Sequence, residues 1–134
     1  MPNSNFSTIK IVIFSVDPVF TEVIKRVIEK NNNRCICQVF TSFSDARTFP
    51  IDNNNIDLII VDNWITGRSS YELISFLRTD KQITIPIIYF GVAEYNGEKK
   101  AHLAGADLFF TKPFKPDYIE GRLYDFLSIG VEAV

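Results

Sequence analysis

The sequence predicts an α/β fold, a doubly wound parallel sheet, and three observations lead there. Short apolar runs of strand length recur along the chain, segments of helical spacing lie between them, and the third and fourth runs are continuously hydrophobic. Continuous rather than alternating hydrophobicity marks strands buried on both faces, which a parallel sheet covered by helices requires.

The first run is Ile9 to Phe14, and Asp17-Pro18 follows as a helix cap with proline at the first helical position. Val19, Val23, Ile24, Val27 and Ile28 recur at helical spacing, and Asn31-Asn32-Asn33 ends that helix in a turn. The second run is Cys35 to Phe40. A short helix near Ser44 to Phe49 is cut off by Pro50, and Asn53-Asn54-Asn55 marks another turn. The third run, Ile56 to Val61, leads directly into Asp62. Leu73, Ile74 and Leu77 form the stripe of a third helix, ahead of the fourth run at Ile85 to Phe90. A fourth helix runs from Glu98 to Ala104, and Gly105 suits the left-handed residue that closes it. The fifth run is Asp107 to Thr111. Pro116 opens a last helix that runs near Leu127, with Ile119, Leu123, Phe126 and Leu127 on its apolar face.

At 134 residues the chain is expected to form one domain, 1–134, with its core at about 8–128. The hydrophobic fraction of 46% and the ordinary charged fraction of 22% argue for a packed chain rather than a disordered one. A net charge of -2 with scattered acids and bases leaves no basic stripe, which argues against direct contact with nucleic acid. No apolar run approaches a membrane span, and the polar start Met1-Pro2-Asn3-Ser4-Asn5 lacks the pattern of a signal peptide, so a cytoplasmic protein is expected. Cys35 and Cys37 stand two apart on a strand and share one face; without further ligands nearby they read as small hydrophobes rather than a metal site.

In an open parallel sheet, ligands bind beyond the carboxyl ends of the strands, where the strand order reverses. That rule selects Ser15, Val16 and Asp17 after the first strand, Asp62 after the third, Gly91 after the fourth and Lys112 after the fifth. Taken singly, Asp62 could merely bond the following turn and Lys112 could be a solvated lysine. Together, at strand mouths that a right-handed topology brings side by side, they form either a phosphoryl-accepting pocket or a structural ion pair.

The order and spacing of these residues resemble the receiver domain of two-component response regulators over nearly the whole chain. Asp57-Leu58-Ile59-Ile60-Val61-Asp62 resembles the family's third strand with its acceptor aspartate. The more specific match is Ala104-Gly105-Ala106-Asp107-Leu108-Phe109-Phe110-Thr111-Lys112-Pro113-Phe114, which resembles the fifth-strand signature. The resemblance implies a flavodoxin-like sheet of strand order 2-1-3-4-5 and a cis bond between Lys112 and Pro113. It also implies a phosphoryl group passed from a histidine kinase or phosphotransfer protein to Asp62, with Mg²⁺ held by Asp62 and the Trp64 carbonyl and with Lys112 aimed at the phosphoryl oxygens. Such a domain is not an enzyme beyond its own phosphorylation.

Several positions depart from that pattern. Ser15 and Val16 stand where family members usually carry two acidic residues, so the expected Mg²⁺ site is weak. Asp17 is the remaining candidate metal ligand there, although capping the helix at Pro18 already explains it. Gly91 stands in place of the family's switch hydroxyl, while Phe109 matches its aromatic partner. Thr66, Ser70 and the bulky Trp64 are smaller departures. His102, among Glu98, Lys99 and Lys100, reads as a solvated surface residue, and Tyr95, Tyr118 and Tyr124 lie where the family meets its partners. Two function classes follow: a phosphoaccepting receiver of degenerate site, or a pseudo-receiver that binds an unidentified protein partner without phosphate.

Overall fold

Five parallel strands in the order β2-β1-β3-β4-β5 form the centre of a computed structural model that describes residues 8–31 and 34–132. They are β1 (Ile9–Phe14), β2 (Cys35–Phe40), β3 (Leu58–Asp62), β4 (Ile87–Val92) and β5 (Leu108–Lys112). Helices α1 (Pro18–Asn31), α2 (Phe43–Thr48), α3 (Ser70–Thr79), α4 (Gly97–Ala104) and α5 (Pro116–Glu132) alternate with them. This is the doubly wound α/β order expected from the alternating runs. Asn32, Asn33 and the side chains of Tyr124 and Leu127 lie outside the described residues.

The apolar pattern accounts for the two layers. Ile11, Ile13, Leu58 and Ile60 pack on one face against Phe20, Ile24 and Ile28 of α1 and Ile119 and Leu123 of α5. Val12, Phe14, Ile59 and Val61 pack on the other against Leu73, Ile74 and Leu77 of α3 and Ala101 of α4. Every residue of β3 is buried, as its unbroken hydrophobicity requires. The α1 stripe differs from the expected one at its start: Val19 is 70% exposed and Phe20 takes the core position. Phe20 is four residues before Ile24 and eight before Ile28, so it lies on their face, whereas Val19 begins the turn one residue too early.

Strand limits also shift from the expected ones. β3 starts at Leu58 rather than Ile56, and β4 runs from Ile87 to Val92 rather than from Ile85 to Phe90. Ile85 is drawn aside because its carbonyl accepts from Arg78 Nη1 at 2.7 Å, a guanidinium that also holds the carbonyls of Ile83 and Gly105. Gly91 therefore lies inside β4, paired with Thr111 of β5, instead of following the strand. β5 reaches Lys112, and α5 extends past Leu127 to Glu132.

Local signals set the ends of the helices. Ser42 caps the short α2 through a reciprocal box with Asp45, and Ser69 does the same for α3 with Glu72. Gly105 closes α4 at φ 125°, a conformation that a side chain resists, while its N–H reaches the Ala101 and His102 carbonyls. The Lys112-Pro113 peptide bond is cis, as the resemblance implies.

Candidate functional site

The strand order places the mouths of β1 and β3 side by side, with β4 and β5 beyond, so the polar residues after these strands converge at one edge. Asp62 is the last residue of β3 and its side chain is 0% exposed. A carboxylate taken that far from water needs a partner for each oxygen. Oδ1 accepts from the Asn63 N–H at 2.9 Å and forms an ion pair with the ammonium of Lys112. Oδ2 accepts from the Ser15 hydroxyl at 2.6 Å.

The supporting contacts come from the β1–α1 turn, the end of β5 and the start of α3. Ser15 Oγ also accepts from the Asp17 N–H at 3.0 Å, so one hydroxyl fixes both Asp62 and the β1–α1 turn. Lys112 arrives from the end of β5 with its ammonium 4.6 Å from the Phe20 ring centre, a cation–π contact that orients the charge. Its side chain remains 22% exposed, so the ion pair lies at the rim of the pocket. Ser70, at the first turn of α3, donates its hydroxyl to the Asp62 carbonyl at 2.6 Å.

The other residues singled out in the sequence fall as follows. Asp17 Oδ1 accepts from the Val19 N–H at 3.0 Å, the helix-capping role that Asp17-Pro18 suggests. The Trp64 carbonyl accepts from the Val16 N–H at 2.9 Å, while the indole side chain is 57% exposed. Thr66 donates its N–H to the Thr41 carbonyl at 3.0 Å and accepts from the Phe43 N–H at 2.9 Å, which fastens the Trp64 loop to the α2 end of the molecule. Proline at 66 would forfeit the first of these bonds. His102 is exposed, with Nδ1 2.9 Å from the Ala106 carbonyl and Nε2 3.5 Å from Glu98. Among the described residues no group of three or more His, Cys, Asp or Glu side chains gathers as a metal cluster would. Cys35 and Cys37 are both free and half-buried on the α1 side.

Sequence reasoning missed three participants. Asn63 contributes its N–H to Asp62, and its own Oδ1 is buried without a partner among the described residues. Phe20 was hidden by the stripe that began at Val19. The third is a pair of tyrosines beside Gly91: the Tyr89 ring makes tilted contacts with Phe109 and Tyr71, with ring centres 5.8 Å and 5.2 Å apart. Tyr71 donates its hydroxyl to Glu94. Burial first, then that bond, raises the pKa of Tyr71 well above its ordinary value, and burial likewise raises Tyr89. The sequence signal was present in the aromatic side chain two residues before a strand glycine, since both point to one face.

Fold and site together define a doubly wound α/β module with its polar site at the carboxyl edge of the sheet. The chain belongs to the response regulator receiver domain family, whose model matches residues 11–124. It is a receiver domain of two-component signalling, a module that is non-catalytic apart from its own phosphorylation. Among curated relatives, the transcriptional regulatory protein YvrH of Bacillus subtilis is 29% identical over 115 residues, covering 84% of this chain and 46% of that protein. The heme response regulator HssR of Staphylococcus saprophyticus is 30% identical over 105 residues, covering 78% of this chain and 45% of that one. The chain thus spans about half the length of the curated relatives it matches. Among solved structures, the non-phosphorylated HemR receiver domain of Leptospira biflexa superposes with a TM-score of 0.76 at 19% identity, covering 90% of this chain and 95% of that one. The chemotaxis response regulator CheY4 of Vibrio cholerae gives 0.71 at 14% identity, covering 89% and 98%. Likeness at that identity concerns the fold. No helix among the described residues is long and apolar enough to cross a membrane.

Proposed function

We infer that Asp62 is the phosphoacceptor of this receiver and that its Mg²⁺ site is weakened. The observation that carries the reading is the Asp62 carboxylate at the switch point, paired with Lys112 and hydrogen-bonded by Ser15. In the transfer, an Asp62 oxygen attacks the phosphorus of a phosphohistidine on a histidine kinase or phosphotransfer protein. A P–O bond forms, the P–N bond breaks, and the imidazole leaves with the electron pair. Lys112 balances the charge of the phosphoryl group, which is mainly positioning and electrostatic stabilisation. An unidentified protein would read the outcome at the outer face of α4, β5 and α5.

The donor set fits Mg²⁺ poorly. A small hard cation needs near-octahedral oxygen, commonly with one or two carboxylates. Here Asp62 is the carboxylate available, its oxygens are already bonded to Ser15, Asn63 and Lys112, and Asp17 is engaged at the α1 cap. The Trp64 carbonyl is bonded to Val16. No step of the transfer above is assigned to the metal.

A second reading, a phosphorylation-independent binding module, is favoured by the full burial of the Asp62 side chain. Incubation with acetyl phosphate followed by intact-mass analysis separates the two. A slow, hydroxylamine-labile gain of one phosphoryl group that Asp62→Asn abolishes supports the acceptor. No gain from acetyl phosphate or from a phosphorylated histidine phosphotransfer domain leaves the binding module.

A further inference from the structure

The space that a side chain at position 91 would fill is occupied. A Cβ built on Gly91 would lie 2.7 Å from Tyr89 Cε2, 3.1 Å from Phe109 Cε1 and 3.2 Å from Tyr89 Cζ. The Tyr89 ring cannot step aside cheaply, because Tyr71 flanks it at 5.2 Å and Phe109 at 5.8 Å and its side chain is buried. The missing hydroxyl of Gly91 is thus one half of an exchange whose other half is the Tyr89 ring.

The three rings run from α3 through β4 to β5, and a polar tether continues them. Tyr71 on α3 donates to Glu94 in the β4–α4 loop, and Glu94 lies 3.8 Å from the Lys100 ammonium of α4. The Glu94 carbonyl accepts from the Gly97 N–H at 3.2 Å, at the start of α4. Phe109 reaches the same turn: a Cβ on Gly97 would lie 3.7 Å from Phe109 Cζ.

We propose that Tyr89 is a positioning residue that takes over the space of position 91 and, with Tyr71, Glu94 and Phe109, forms a latch that holds the β4–α4 loop and β5 in one arrangement. The latch is built from the Tyr71–Glu94 hydrogen bond and packed rings, so it needs no phosphoryl group to close. It rests on the receiver reading only for the significance of position 91. Its consequence is that the α4–β5 surface is already set before Asp62 reacts, and that opening requires loss of the Tyr71–Glu94 bond.

The test uses the full chain without a phosphodonor, so failure of the acceptor reading leaves it untouched. Gly91→Ala should lower the urea midpoint in the native background and lower it by less than half as much in Tyr89→Leu, where the obstructing ring is gone. Equal losses in the two backgrounds would overturn the proposal. Tyr71→Phe removes a single oxygen, and its fold should persist. It should introduce millisecond relaxation dispersion at the amides of residues 94–100 and 109–111, all quiet in the native chain. Amides as quiet in Tyr71→Phe as in the native protein would refute the latch even if Tyr89→Leu failed to fold.

Discussion

Replacing Ser15 by alanine deletes one oxygen from the centre of the site, and the geometry sets what should follow. Ser15 Oγ donates to Asp62 Oδ2 at 2.6 Å and accepts from the Asp17 N–H at 3.0 Å. Both side chains are out of water, Ser15 at 2% exposure and Asp62 at 0%, so solvent cannot readily replace the lost donor. A hydrogen bond to a charged group contributes about 1.5–3 kcal/mol, and a buried acceptor left short of a donor sits toward the upper part of that range. The Asp17 N–H adds little because it is only partly buried. With a urea slope of about 1–3 kcal/mol per molar for a domain of this size, a loss of about 2.5 kcal/mol moves the midpoint down by about 0.8–2.5 M. Equilibrium urea unfolding followed by circular dichroism measures it. A double-mutant cycle with Asp62→Asn assigns the loss to the pair, because the carboxamide accepts a weaker bond. Ser15→Ala within about 0.5 kcal/mol of the native chain, the range of an ordinary surface change, would refute the view that Ser15 supports the acceptor.

Two further outcomes follow from the same geometry. Lys112→Met keeps an unbranched side chain but removes the ammonium that lies over Phe20 and strands a buried carboxylate. The full penalty of about 3–5 kcal/mol for breaking a buried pair should fall to about 2–3 kcal/mol because Lys112 is partly exposed, and Asp62→Asn in the same chain should recover part of it in urea unfolding. Burial first, then the nearby Cys37, pushes the Cys35 thiol up to about 11. Since the thiolate is the nucleophile, alkylation of Cys35 by iodoacetamide at pH 8 should run roughly a hundredfold slower than that of an unhindered thiol and accelerate as pH rises toward 11.

The fold was legible because the runs of β3 and β4 are buried on both faces and leave little choice of architecture. Asp62 and Lys112 were legible for a related reason, as charged residues that terminate apolar strands. Their environment was less so. Ser15 reads in the sequence as the loss of an acid, yet in three dimensions it is a donor to Asp62, and a hydroxyl beside a buried carboxylate is the signal that could have revealed this. Phe20 escaped because a helical stripe begun one residue early still accommodates Val23, Ile24, Val27 and Ile28. Gly91 reads as an empty position, and only packing across β4 and β5 shows the Tyr89 and Phe109 rings filling it. Contacts between distant segments, such as Val16 with Trp64, carry no local pattern from which to infer them.

Whether Asp62 is an acceptor without ordinary metal support can be read from the fluorescence of Trp64, the single tryptophan, two residues beyond Asp62. Mg²⁺ should be titrated alone and then with beryllofluoride, into the native chain and into Ser15→Asp/Val16→Asp. A weakened metal site gives no saturable change from Mg²⁺ alone in the native chain at millimolar concentrations. The double variant should respond, and at free Mg²⁺ tenfold above its dissociation constant it should gain about 1.4 kcal/mol of stability. Saturation of the native chain near millimolar Mg²⁺, lost in Asp62→Asn, would contradict it.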